Sequence, residues 1–136
     1  MRTSITLLTA VSAAMIAGPA VAGNGPDPEA ELARAIGDRV AGPAVDCIDL
    51  HRVRGSHIIP GTAIVYDAGG VIYVNRPRNG AESMRPWDIM VNRLQTSRLC
   101  SIDTVEMVDQ GSHMLSGIVF LGEFVPYRRV QSSDAR

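Results

Sequence analysis

A chain of 136 residues with 13 Lys plus Arg against 14 Asp plus Glu has no basic excess to hold nucleic acid and no polybasic run to hold anionic lipid. All 13 positive charges are arginine, which removes Schiff-base chemistry and any lysine general base. The length suits one domain and leaves no room for two.

Arg2 precedes an apolar stretch from Ile5 to Ala17, and Ala20-Val21-Ala22 then gives the small-x-small pattern that signal peptidase accepts. Residues 1–22 therefore read as a cleaved signal peptide, with the mature chain starting at Gly23. If the leader stayed uncut it would act as a marginal anchor. Removal of Arg2 leaves 12 arginines against 14 acidic residues, a net charge of −2. No second apolar run approaches the ~18 to 20 residues of a membrane-crossing helix, so no transmembrane segment is expected in the mature chain. A periplasmic or secreted location follows, and with it a compartment in which Cys47 and Cys100 can stay oxidised.

Residues 23–44 read as a lead-in and an N-terminal helix. Asp27 sits at the cap, Pro28 at the first helical position, and Glu29 and Glu31 in the first turn. Leu32, Ile36 and Val40 form one apolar stripe, and Gly42-Pro43 is the expected stop. Residues 45–130 change texture to short β-type runs. Cys47 to Val53 reads as a strand, with Cys47, Asp49, His51 and Val53 on one face. Thr62 to Tyr66 and Val71 to Asn75 flank Asp67-Ala68-Gly69-Gly70 as a β-hairpin. Asn75 to Arg85 reads as a polar loop. Trp87 to Leu94 fits either period and is assigned to strand because it is short. Ser101 to Val108 and Gly117 to Val125 complete the strands, around a turn at Asp109-Gln110-Gly111-Ser112. Residues 131–136 read as a frayed tail. The expected fold is mainly β (α+β): five or six strands in a small antiparallel β-roll or partly open barrel, with one N-terminal helix.

The two cysteines lie 53 residues apart, far from any C-x-x-C spacing, so they read as one structural disulfide, with free or reactive thiols as the alternative. Such a bridge is worth about 4 kcal/mol in the chain-entropy model. Asp49-x-His51 places two ligand types on one strand face, and His57 is the nearest third. Three scattered histidines lack a recognised metal spacing, so neither a metal nor another cofactor is expected. Ser112-His113, with Asp103 and Asp109 nearby, has the residue types of a hydrolytic triad but no nucleophile elbow. Phe120, Phe124 and Tyr127, with Ile118 and Val125, read as core residues of the last strand.

The segment from Asn75 to Trp87 is the richest in recognition chemistry. Arg76, Arg78 and Arg85 offer planar forks for phosphate or carboxylate, and Trp87, the only tryptophan, offers a stacking face. These four residues are the candidate binding surface, for an envelope protein or an anionic glycan. The structural alternative is a solvated arm with Trp87 buried at the core edge.

Two stretches carry a family resemblance: Cys47-Ile48-Asp49-Leu50 with Ala68-Gly69-Gly70-Val71-Ile72-Tyr73-Val74-Asn75-Arg76-Pro77, and Leu99-Cys100-Ser101-Ile102-Asp103-Thr104-Val105. They resemble small exported proteins of unknown function from sphingomonad-type alphaproteobacteria, over about Val45 to Val130. The resemblance implies bacterial export and a shared β-rich body, and it carries no catalytic residues. A more remote similarity is to periplasmic proteins that often have a further cysteine after the hairpin; this loop has none. The expectation is an exported, non-enzymatic binding or structural module. Its competitors are a small hydrolase or metal-dependent enzyme using His51, His57 or His113, and an inhibitor of a cell-wall or host hydrolase that presents the 75–85 loop.

Overall fold

The computed structural model describes residues 25–131. The expected leader and, apart from Gln131, the expected tail lie outside the described residues. The helix α1 spans Pro28–Ile36: the Asp27 carboxylate accepts from the Glu29 N–H at 3.1 Å, and Pro28 opens the first turn. It ends five residues before the expected stop. Gly37 takes φ +66° and returns its N–H to the Ala33 carbonyl, a backbone conformation that glycine reaches without penalty. Val40 is therefore no part of a helical stripe. It lies in β1 (Val40–Ala41) and is 56% exposed.

Nine further strands follow: β2 Cys47–Asp49, β3 Gly55–Ile59, β4 Ala63–Asp67, β5 Val71–Asn75, β6 Ile89–Val91, β7 Arg98–Cys100, β8 Thr104–Val108, β9 Leu115–Phe120 and β10 Phe124–Arg128. All pairings are antiparallel, and the protein is mainly β with one helix among the described residues. The strands form a five-stranded sheet in the order β1-β10-β5-β4-β3, a three-stranded sheet β6-β8-β9, and a two-stranded ribbon β2-β7. None of these sheets closes into a barrel.

Several strands depart from expectation. The run from Cys47 to Val53 stops at Asp49, whose side chain accepts from the His51 N–H at 3.0 Å and starts a 3-10 turn over Leu50–Arg52. Strand β3 has no counterpart in the sequence reading, and it turns into β4 through Pro60-Gly61, with Thr62 N–H bonded to the Ile59 carbonyl at 3.1 Å. The Gly117–Val125 run is split, because the chain leaves the three-stranded sheet at Phe120 and enters the five-stranded sheet at Phe124. The 67–70 hairpin forms as expected between β4 and β5.

Three layers result. Leu32 of α1, with Ala35 and Ile36, packs on Ile59, Ala63, Val65, Ile72 and Val74 of the five-stranded sheet. The other face of that sheet presents Ile58, Ile64, Tyr66 and Phe124 to Ile48, Leu99, Val105, Met107 and Val119 of the two smaller sheets. Period-2 alternation along β4, β5 and β10 feeds both cores at once. Phe124 is fully buried and meets Tyr66 edge-to-face at 5.8 Å, but Phe120 and Ile118, expected in the core, are 45% and 43% exposed. They point away from Val119 on the outer face of the three-stranded sheet.

The Tyr66 hydroxyl is buried with no hydrogen-bond partner among the described residues, and burial pushes its pKa up. Tyr66→Phe should therefore be neutral or stabilising by about 1 kcal/mol, since no bond is lost. The folded state holds this proton above the ordinary tyrosine pKa. Stability should therefore fall as pH rises past about 10, where the unfolded chain releases this proton more readily than the folded one. Urea unfolding at neutral and alkaline pH should show a shallower alkaline decline in the variant.

Candidate functional site

Two strand edges define the most constructed concavity. β3 ends the five-stranded sheet and β6 ends the three-stranded sheet, so each has one side without a strand neighbour among the described residues. Between them lies a cleft of about 310 Å³ lined by Ser56, His57 and Ile58 of β3, Pro86, Asp88 and Met90 at β6, and Glu31 of α1. Three consecutive β3 residues reach it because it sits at the edge of that strand, where both faces meet. Alternation sends His57 to the helix layer and Ile58 to the inner core.

The polar groups of the cleft come from three distant parts of the chain. His57 Nε2 lies 3.1 Å from Glu31 Oε1, one helical turn after the Asp27 cap. Asp88 is only 9% exposed, with Oδ2 accepting from the Ser116 hydroxyl at 2.8 Å. Ser116 reaches it because the β8–β9 register shifts between Met107 and Val108, leaving Ser116 as an extra residue in β9. Asp88 Oδ1 has no partner among the described residues. A buried carboxylate oxygen without a donor is costly, and a hydrogen-bond donor brought to it would offset that cost.

The four residues of the expected binding surface have separate surroundings. Arg76 forms a two-pronged pair with Glu29 at 2.8 and 2.9 Å, which holds its guanidinium strongly charged and depresses the Glu29 carboxyl; it fastens α1 to the end of β5. Arg78 donates to the carbonyls of Leu121 at 2.7 Å and Ser101 at 3.0 Å. These two arginines stitch the 75–85 segment to the body, and the segment does not stand free. Arg85 and Trp87 are exposed, Trp87 by 59%, and flank Pro86 beside the cleft. Asn75, the first residue of the expected loop, is wholly buried at the end of β5 and clamps Gly122, donating to its carbonyl and accepting from its N–H.

The catalytic and metal alternatives find other geometry. The Ser112 hydroxyl donates to Asp109 at 2.9 Å, and Asp109 Oδ1 also accepts the N–H groups of Ser112 and Gly111. Those bonds, with Arg85 nearby, lower the Asp109 pKa, so the carboxylate serves a turn and orients no histidine. The Asp49 carboxylate is likewise spent on the His51 backbone. Asp46, Cys47 and Cys100 crowd together, but both sulfurs belong to the Cys47–Cys100 disulfide and provide no thiolate.

No family model, curated protein or solved structure matches this chain. The site must therefore be read from its own chemistry. His57, Arg85 and Trp87 were legible beforehand as chemistry-bearing residues. Glu31 and Asp88 were not, since nothing local marks a helix carboxylate that meets a strand 26 residues later, or an aspartate turned inward ahead of β6.

Proposed function

We propose that this protein is an exported, non-enzymatic binding module that receives an extended polypeptide segment carrying Lys or Arg in the cleft between β3 and β6. The observation that carries this reading is the pair of unpaired strand edges facing a cleft whose buried Asp88 has a free oxygen. An entering strand takes its main-chain hydrogen bonds from the open edges and its side-chain preference from the pocket between them. Asp88 and Glu31 supply the negative charge, and Arg85 and Trp87 form the rim. The oxidised cysteine pair, and the absence of any helix long and apolar enough to cross a membrane among the described residues, support export. The resemblance to small exported bacterial proteins points the same way.

Trp87 provides the assay. A capped peptide of alternating Val and Thr with a central Arg should produce a saturable change in tryptophan fluorescence. Asp88→Asn keeps the shape and the Ser116 contact but removes the charge, and should weaken binding about 10- to 100-fold, the scale of a charged hydrogen bond. No response in the native protein, or equal binding of a central-Glu peptide, would overturn the reading. The Glu31–His57 couple favours one enzymatic alternative, peptide hydrolysis in the same cleft. Cleavage products in the mass spectrum of the incubated peptide would replace the binding reading with that one.

A further inference from the structure

A second concavity, outside the cleft, is built from arginine. It encloses about 490 Å³ and is lined by Arg39, Arg128, Arg129, Gln131 and the hairpin glycines Gly69 and Gly70. It lies where the tip of the β4–β5 hairpin meets the end of β10, as the pairing of Arg128 with Val71 requires. Arg54 stands beside the same tip, its guanidinium against Gly69. Among the described residues no carboxylate lines the cavity, in a chain whose overall charge is −1. Asp38 reaches Arg129 only at 3.4 Å between two exposed side chains, and Arg128 has no ion pair among the described residues. Arg39 spends one amino group on the Ile36 carbonyl at the end of α1, and its buried Nε is unpartnered.

We infer that this cavity binds a phosphate ester anion. Three guanidinium forks offer more donors than the two oxygens of a carboxylate can accept, whereas the three terminal oxygens of a phosphate monoester can engage two or three forks. Gly70 presents bare backbone with nothing within 4 Å of its open side, which lets a tetrahedral group approach closely. The volume falls within the range of small-molecule sites and accommodates a phosphorylated sugar. This site is independent of the peptide cleft, because none of its residues lines that cleft.

Calorimetry at low salt with glucose 6-phosphate as the probe tests the inference, with glucose and glucuronate as controls. Glucose 6-phosphate should bind, glucuronate at least tenfold more weakly, and glucose not at all. The affinity should fall as salt rises. Arg128→Gln is a surface change that should leave the melting temperature in place and reduce binding about tenfold. Co-sedimentation with phosphatidylglycerol vesicles separates the source of the phosphate: vesicle binding that needs Arg128, without sugar phosphate binding, keeps the phosphate site and assigns it to a lipid headgroup. Absence of both, or binding indifferent to Arg128→Gln, overturns it. Asp88→Asn should leave phosphate binding unchanged, so each site can fail alone.

Discussion

Replacement of Asn75 by alanine should cost about 3 kcal/mol, the largest effect expected from any polar side chain described in the protein. Asn75 is fully buried, donates to the Gly122 carbonyl at 2.6 Å and accepts from the Gly122 N–H at 3.1 Å. Alanine removes both bonds and strands two buried backbone groups, each carrying a penalty of about 1–3 kcal/mol. Asn75→Asp should also be damaging, because the carboxylate cannot donate to the Gly122 carbonyl. The clamp sits where the chain crosses from the three-stranded to the five-stranded sheet. Gly122 is obligatory there, since any Cβ would collide with the Arg76 carbonyl. Chemical unfolding followed by circular dichroism measures the loss; a cost under about 1 kcal/mol would mean that water satisfies the crossover when the amide is gone.

Loss of the Cys47–Cys100 bridge should be comparable in size. The disulfide closes a 53-residue loop, so the Cys47→Ser, Cys100→Ser double variant should lose about 4 kcal/mol and about 15 °C or more in melting temperature. The ribbon it staples has only three residue pairs, too few to hold by themselves, and it carries Ile48 and Leu99 into the inner core. Melting with and without reductant should show the same difference in the native chain. A shift of only a few degrees would show that packing of Ile48 and Leu99 suffices to hold the ribbon.

What the sequence disclosed follows the range of the signals involved. The start of α1, the 67–70 hairpin and the single disulfide rest on cap chemistry, turn residues and cysteine count, all readable within a short window or by elimination. The helix end was misplaced because Gly37 acts through its own backbone angle, whereas Gly42-Pro43 only resembles a stop. β3 was invisible because its residues run from three exposed to two buried without alternation, as an edge strand bordering a cleft can. The split of the last apolar run depends on Asn75, 47 residues away, and Ile118 and Phe120 become exposed because only the face of the three-stranded sheet that carries Val105, Met107 and Val119 packs on the inner core. The cleft was partly legible: His57, Arg85 and Trp87 stood out by type, but their relation to Glu31 and Asp88 exists only after three layers have assembled.

On the proposed reading, the narrowness of the cleft between the two strand edges would also decide which partners it admits. A strand already incorporated in a folded sheet brings its neighbours with it, and about 310 Å³ between β3 and β6 has no space for them. Under that reading only a lone extended segment, such as a terminus, a linker or a chain that has not yet folded, would enter. As a peptide site, the cleft would thus discriminate by the folding state of what it meets before it discriminates by sequence.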